Sequence, residues 1–343
     1  MSQLSERQRG VLKVVVAEHV ATAQPVSSEF VARKLPLTLS TATIRNEMAA
    51  LEELGYLQHP HTSAGRLPTE EGYRYFVESL LEERELAAGV QLAIRRRVHP
   101  DDAALESWIA RAAEQLAAAA RNAAVVSAPR APESHLKHVE LVCVHDRLVL
   151  MVIVLFDSTL RQQFLPFAEP TTQDGVTRIA NHLNDRFAGL TAQQIFGSDE
   201  PLSGSELQMV EALLRVMRQV DRHQYADMRV DGLSYILAQP EFERSEKLRQ
   251  VLDVLGEPQA LGELLVESAV GDLPRVIIGG GENTTLPLRE FSLVLGRYGG
   301  NSEVSGVLAV LGPMRMEYDR AISSVRYLAS LLNELLAELY GWK

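Results

Sequence analysis

The feature that most constrains the fold of this chain is a series of three short N-terminal segments that are predicted to be helical and are separated by breaks. The first apolar stripe spans residues 12–20 and must end before Pro25, because proline cannot continue the helical hydrogen-bond ladder. A second short helix is broken by the Leu-Pro-Leu sequence that begins at Leu35. A third, capped by Ser40, ends at Gly55, where glycine suits the first position beyond a helix. Three short helices with tight breaks predict a helix-turn-helix unit.

A turn-rich loop follows the third predicted helix. Residues 56–58 and 66–68 read as two short extended pieces around a loop of His, Pro, Thr, Ser, Ala and Gly, which predicts a hairpin. A hairpin in this position is the wing of a winged helix. Thr69 can cap the next helix, whose apolar stripe predicts a continuous helix, weak at Gly89, toward the arginines at 95–97.

The rest of the chain mixes predicted helices and strands. Helices are expected at about residues 102–126, 174–188, 205–225 and 317–340. Strands are expected at residues 136–144, 148–156, 160–167, 264–266, 275–278, 291–295 and 304–311. The short turns between the first three strands predict an antiparallel meander.

Charge and composition narrow the possible functions. The 343-residue chain has a net charge of −11. Residues 1–80 hold eight basic and nine acidic residues, a net of −1, so the remainder carries about −10. This balance disfavours a binder that attracts nucleic acid by charge alone, but allows a reader that contacts a groove through a restricted patch.

The same composition indicates a cytoplasmic protein. The longest apolar run, residues 148–156, is too short for a membrane helix, and polar residues at 5–8 disfavour a signal peptide. The single cysteine, Cys143, excludes an intrachain disulfide and a multi-cysteine zinc site, and its apolar surroundings favour a small core residue.

Several long motifs resemble the bacterial heat-inducible transcription repressor family, HrcA. The N-terminal ones are Ser40–Met48, Leu51–Leu57, His61–Thr69 and Gly72–Tyr75. The downstream ones are Gly232–Ser234, Gln239–Phe242, Ile278–Gly280 with Glu282-Asn283, and Gly312-Pro313 with Arg315-Met316. The resemblance covers most of the chain, although residues 90–225 are less distinctive.

The resemblance implies an α+β multidomain fold with a winged helix-turn-helix, a GAF-like antiparallel-sheet domain and an α/β dimerising domain inserted into the latter. We expect the winged-helix DNA-binding domain at 1–80 and a linking helix into the GAF-like domain at 81–100. The insert, a three-stranded sheet plus helices, is expected at 101–225, and the GAF-like domain at 226–343.

The resemblance also implies a function. It indicates a repressor of chaperone operons that binds an inverted-repeat operator, the CIRCE element, as a homodimer. The partners implied are double-stranded DNA, a second copy of the chain and the GroE chaperonin, which maintains the active form. The competing hypothesis is a ligand-sensing winged-helix regulator controlled by a small molecule in the GAF-like domain. An enzyme is not expected, because no nucleophile–base set or carboxylate pair stands out, and no cofactor is implied.

The third helix carries the predicted DNA-binding face. With Ile44, Met48 and Leu51 facing the core, a step of about 100° per residue turns other residues outward or to the flanks. The predicted recognition residues are Thr41, Ala42, Thr43, Arg45, Asn46 and Ala49. Arginine can pair with guanine and asparagine with adenine, and small alanines allow a close approach to the major groove. A merely solvated helix face is the alternative.

The wing supplies a second predicted contact with DNA. Its candidates for phosphate or minor-groove contact are His61, Thr62, Ser63 and Arg66. Arg66 could instead be an ordinary surface arginine. His59 and His61 offer only two imidazoles, so no metal site is expected.

Three other features have structural interpretations. The glycine run 279–281 lacks a following Lys-Ser/Thr, so it predicts a strand-end turn rather than a phosphate cradle. The alanine-rich helix at 102–126 could offer a partner surface or pack within the chain. The same choice applies to the apolar stripe Leu207, Val210, Leu213, Leu214 and Met217.

Overall fold

The computed structural model is a mixture of helices and antiparallel sheets. It describes residues 4–35, 39–60, 65–82, 84–98, 105–129, 133–156, 159–167, 170–198, 202, 204–222, 228–242, 249, 253, 255, 274–279, 291–301 and 304–340. The chain divides into two compact units. The first comprises Met1–Ala128, Asp227–Gly299 and Gly306–Lys343, and the second comprises Pro129–Ala226 and Gly300–Ser305.

Three helices open the first unit. They are α1 (Glu6–Thr22), α2 (Ser28–Lys34) and α3 (Thr41–Glu53). The predicted Ser40 cap of α3 is confirmed, and Ser27 caps α2. Each serine oxygen accepts a hydrogen bond from a backbone N–H of the first turn, which would otherwise lack a partner.

A small hairpin follows α3, as the sequence predicts. Strand β1 (Leu57–Gln58) pairs antiparallel with β2 (Leu67–Pro68). Helix α4 (Glu70–Tyr75) comes next and is capped by Thr69. Gly72 is required there, because a Cβ atom at this position would lie 2.2 Å from the backbone oxygen of Tyr56.

The predicted continuous helix after Thr69 is wrong. A π-helical turn (Phe76–Leu80) follows α4, and the chain leaves the helical conformation at Leu81. Helix α5 (Ala88–Arg97) restarts just before Gly89, the predicted weak point. Between the two helices the buried Leu86 packs into the core of the unit. Its burial is not evident from the sequence, because charged residues precede it.

A five-stranded sheet forms the other part of the first unit. Its strands are β3 (Ala123–Ser127), β7 (Met228–Asp231), β8 (Arg275–Ile278), β9 (Phe291–Asn301) and β10 (Val304–Pro313), in the order β7-β3-β10-β9-β8. Strand β3 pairs antiparallel with β7 and β10, and β8 pairs antiparallel with β9.

The sheet of the first unit is packed by two long helices, α6 (Leu105–Ala120) and α11 (Tyr318–Tyr340). Helix α10 (Leu233–Leu237) and a 3-10 turn (Pro240–Phe242) follow β7. The sequence predicted helix through residue 126, which is wrong for β3. All five residues of β3 are buried, so the alternation that marks a half-exposed strand is absent from its sequence.

The second unit contains the predicted meander. Strands β4 (Leu136–His145), β5 (Leu148–Leu155) and β6 (Leu160–Pro166) are antiparallel in that order. Helices α7 (Gln173–Phe187), α8 (Ala192–Phe196) and α9 (Gly204–Arg222) accompany them. One face of the sheet and these helices share a buried core.

The units do not begin and end where the predicted domains do. Residues 105–127, which the predicted boundaries place in the insert, supply α6 and β3 to the first unit. The assignment of the four segments as functional domains stays a prediction. The predicted strand at 264–266 lies outside the described residues, as do residues 280 and 281 of the glycine run.

Candidate nucleic-acid interface

Helix α3 has one buried face and one open face. Ile44, Met48 and Leu51 are buried in the core, as their spacing predicts. Asn46 is exposed on the opposite side of the helix, and Arg45 is exposed on its flank. The open face therefore presents a guanidinium and a carboxamide, the two groups that read guanine and adenine edges in a major groove.

The other predicted residues of α3 differ in their exposure. Ala42 is exposed, while Thr41, Thr43 and Ala49 are half-buried. The hydroxyl of Thr43 lies 2.8 Å from the Ser40 oxygen, so it belongs to the cap of the helix.

Two acidic side chains of α3 are neutralised by basic partners. Glu47 pairs with Arg7 at 3.3 Å, and Glu52 pairs with Arg66 at 2.8 Å. In contrast, no hydrogen bond or ion pair within the described residues engages the side chains of Arg45 or Asn46. The pairs reduce the repulsion that free carboxylates would exert on a phosphate backbone.

Arg66 makes several contacts within the N-terminal elements. Besides its ion pair with Glu52, its guanidinium donates a hydrogen bond to Nδ1 of His59 at 2.8 Å. Its backbone also pairs with that of Val26, which joins the hairpin to the α1–α2 connection. Arg66 therefore braces the hairpin against α3. The other predicted wing residues, His61, Thr62 and Ser63, lie outside the described residues.

Sequence reasoning missed the two ion pairs that flank the open face. Arg7 and Glu47 are 40 residues apart in the chain, and the pairing of Glu52 with Arg66 requires the hairpin to fold back. The only local signal was the presence of acidic residues on the third helix, which is equally typical of a solvated surface.

The described residues show few features that would indicate a metal site, a membrane helix or a reactive cysteine. They contain no group of three or more His, Cys, Asp or Glu side chains that could hold a metal ion. Among them, no helix has the length and apolarity needed to cross a membrane. Cys143 is half-buried, and its Sγ lies 3.4 Å from the backbone oxygen of His145.

The proposed partner surfaces on helices α6 and α9 are mostly internal. Val210, Leu213, Leu214 and Met217 are buried in the core of the second unit, and only Leu207 of that stripe is exposed. Most of the described apolar residues of α6 are likewise buried within the first unit, whereas Ala110 and Ala118 are exposed. Packing within the chain therefore accounts for both stripes.

An open apolar surface lies instead on the outer face of the three-stranded sheet, which we call the outer sheet face. Its apolar members are Val142, Val144, Leu148, Leu150, Val152, Val154, Leu160 and Phe164. Val142, Leu150 and Phe164 form one continuous row across the three strands. Phe164 is 61% exposed, although phenylalanine is among the residues most often found in cores.

Known proteins similar to this chain are transcription repressors. A family model described as the HrcA protein C terminal domain matches residues 106–322. The heat-inducible transcription repressor HrcA of Roseiflexus sp. (strain RS-1) is 44% identical, over 99% of this chain and 96% of the relative. Those of Herpetosiphon aurantiacus and Dehalococcoides mccartyi (strain ATCC BAA-2266) are 43% and 36% identical, over 99% and 98% of this chain and 97% of each relative.

A solved structure supports the overall fold. The crystal structure of a hypothetical protein has a TM-score of 0.60 and 24% identity to this chain, covering 98% of this chain and 99% of the other. The nearly full-length matches to named repressors place the protein in the class of transcriptional regulators. More narrowly, the chain belongs to the heat-inducible transcription repressor HrcA family.

Proposed function

We propose that the protein represses heat-shock chaperone operons by binding an inverted-repeat operator as a homodimer. In this proposal α1–α3 and the hairpin form a winged helix, and α3 enters the major groove of each half-site. The five-stranded sheet with α6 and α11 is the GAF-like domain, and the second unit is the dimerising domain.

The observation that carries the proposal is the open face of α3. Asn46 is exposed opposite the buried Ile44 and Met48, and Arg45 is exposed on the flank beside it, in a chain whose relatives are named as repressors. Half-buried Ala49 adds no bulk between that face and a groove. No catalytic residue and no cofactor enter the proposal.

Arg66 acts indirectly in this proposal. A guanidinium held by Glu52 and His59 fixes the hairpin against α3, so that the wing lies beside the DNA backbone. The predicted phosphate or minor-groove contacts then fall to His61, Thr62 and Ser63.

The experiment is an equilibrium gel shift of the full chain at one fixed salt concentration, with the inverted-repeat operator and a scrambled duplex. Arg45→Ala and Asn46→Ala should each weaken operator binding by about 1–3 kcal/mol and leave the scrambled duplex unaffected. Arg96→Ala, an exposed arginine of α5, is the matched control and should bind like wild type. Equal operator affinity in all four proteins would refute the proposed face.

The homodimer is supported by the outer sheet face. Contiguous exposed apolar surface marks an interaction site, and a two-fold dimer brings the same face of both copies together. A row such as Val142, Leu150 and Phe164 is self-complementary in chemistry, since it is apolar along its length. A dimer also sets the distance between two recognition helices, which an inverted repeat requires.

The proposed role of the GroE chaperonin rests on the same surface. A monomer that exposes the outer sheet face displays β-rich apolar sequence, which favours aggregation and gives a chaperonin an apolar surface to hold. Client proteins that occupy the chaperonin during heat stress would leave the repressor inactive.

This regulation is testable with purified components. Mild heating should reduce operator binding and produce aggregates, and addition of GroE with ATP should preserve or restore the active fraction. Full operator binding after heating, with no effect of the chaperonin, would contradict it. A metabolite that raised the melting temperature of the protein would then favour control by a small ligand.

A further inference from the structure

Two downstream motifs that the DNA-binding proposal leaves unused meet each other in the first unit. Glu241 lies in the 3-10 turn Pro240–Phe242, and Arg315 lies in the turn after β10. The Arg315 guanidinium donates two hydrogen bonds to the Glu241 carboxylate: Nε to Oε1, and Nη2 to Oε2 at 2.9 Å. This is the paired arrangement in which an arginine and a carboxylate bind most strongly.

A third contact of Arg315 reaches the N-terminal helices. Its Nη1 donates to the backbone oxygen of Val20 at 3.0 Å. Val20 lies in the last turn of α1, where carbonyl groups lack partners within the helix and the helix dipole favours a cation. One side chain therefore satisfies a carbonyl in the last turn of α1 and ties the helix to the turn after β10. We call Arg315, Glu241 and the Val20 carbonyl the junction clamp.

Aromatic side chains lie beside the junction clamp. The hydroxyl of Tyr73 in α4 is 2.5 Å from Nδ1 of His19, one residue before Val20. The ring of Tyr73 lies 6.2 Å from that of Tyr318, at the start of α11. Tyr318 is buried and donates to the backbone oxygen of Met314 at 2.5 Å. The clamp thus sits in a nearly closed junction, with Arg315 only 14% exposed.

The covalent connection between α4 and α5 is irregular, and Leu86 is the one buried residue among its described positions. Residues 81–82 and 84–87 are neither helix nor strand. The side-chain pairs of this segment, Lys13 with Glu82 and Arg84 with Asp319, involve mainly exposed groups that contribute little. The orientation of α1 relative to the sheet is therefore set by the packed junction, and α3 follows because it shares the core of α1.

We propose that Arg315 is a positioning residue for operator binding, which with Glu241 holds α1, and through it α3, at one orientation on the five-stranded sheet. This inference rests on the proposed function. Two recognition helices can engage two half-sites together only if each is presented at the correct angle and distance, so the junction clamp selects the spacing of the half-sites.

The test uses the full chain and two duplexes, the inverted-repeat operator and the same half-sites separated by five additional base pairs, about half a DNA turn. Wild type should prefer the operator by about 100-fold, because the longer duplex prevents simultaneous engagement. In Arg315→Met this preference should fall below about tenfold, since a loosely held module can reach both spacings at a lower effective concentration. Arg95→Met, which breaks the exposed pair of Arg95 with Glu334, is the matched control and should keep the wild-type preference.

A second readout does not depend on DNA. Spin labels at Ala17→Cys and Glu114→Cys, two exposed positions of α1 and α6, in a Cys143→Ser chain report the distance from the N-terminal helices to the sheet. The distribution should be narrow in the otherwise unchanged chain and broad after Arg315→Met. Glu241→Gln removes the carboxylate but keeps the side-chain volume and the Arg315 side chain. If Arg315→Met does not fold, this variant replaces it in the spacing test and in the distance measurement.

The outcomes separate the two proposals. An unchanged spacing preference together with an unchanged distance distribution in the clamp variants would overturn the positioning role. A loss of affinity that is equal for both duplexes, with no broadening of the distance distribution, would indicate a merely structural role and would also overturn the proposal. Failure of the wild-type chain to bind either duplex would refute the proposed function, whereas the distance distributions would still decide whether the clamp holds α1 in place.

Discussion

Acidification should destabilise the first unit through one histidine. Burial lowers the pKa of the His19 imidazole from 6.5 to about 4; the positive charge of Arg315 acts in the same direction, and Glu241 opposes it. The native state therefore holds a neutral ring, whereas the unfolded chain takes up a proton near pH 6.5. Stability is full above about pH 6.5 and is lost as the pH falls toward 4, where the native ring also takes up a proton. Between pH 7 and pH 5 the loss should be about 1–2 kcal/mol, with allowance for partial exposure of the ring.

Urea unfolding at pH 7 and pH 5 measures this loss directly. Trp108 in α6 is 2% exposed, so its fluorescence follows the unit that contains His19. His19→Gln removes the titration and keeps a hydrogen-bonding partner for Tyr73, so its loss between the two pH values should be smaller than that of wild type by about 1–2 kcal/mol. His182→Gln, at an exposed site in the second unit, should retain the full loss. An equal pH dependence in wild type and His19→Gln would refute the reasoning.

Three further substitutions test other parts of the structure. Gly72→Ala should lower the free energy of unfolding, measured with urea, by about 1–3 kcal/mol, because the new Cβ would clash with the backbone oxygen of Tyr56. Gly89→Ala, at an open position of α5, is the control and should leave the stability equal or higher. Phe164→Asp on the outer sheet face should give a folded monomer in sedimentation experiments, and a folded dimer would remove this face from the interface. Arg66→Ala should weaken operator binding together with thermal stability, since it unties the hairpin from α3; a loss of binding at unchanged stability would indicate direct contact with DNA.

The N-terminal elements could be predicted because their signals are local. Ser40 and Thr69 are N-cap residues that mark where helices begin. The spacing of Ile44, Met48 and Leu51 identifies the buried face of α3 without reference to distant residues. The meander was equally accessible, since its strands are joined by short turns.

The elements that escaped prediction depend on tertiary contacts. Strand β3 follows an alanine-rich helix with little change in composition, and only its pairing with β7 and β10 makes it a strand. The interruption after Leu80 depends on the burial of Leu86 in a core assembled from distant segments. Neither feature has a local signal that outweighs helical propensity.

The candidate site could likewise be predicted only where its signals are local. The outward placement of Arg45 and Asn46 follows from helical geometry alone. The bracing role of Arg66 requires knowledge that Glu52 lies opposite the hairpin, and the junction clamp joins Glu241 to a residue 74 positions away. Such long-range pairs cannot be deduced from spacing, although the motifs that contain them were recognisable.

The central claim is that α3 reads base edges in both half-sites of an inverted repeat. The most direct measurement is an equilibrium titration of wild type and Arg45→Ala against symmetric operators that carry one base-pair change in each half-site, tested position by position. Wild type should lose about 1–3 kcal/mol per half-site at the guanine that Arg45 contacts, and Arg45→Ala should be weaker on the unaltered operator and indifferent to that one change. Retention of the full wild-type pattern of base discrimination in Arg45→Ala would contradict the claim.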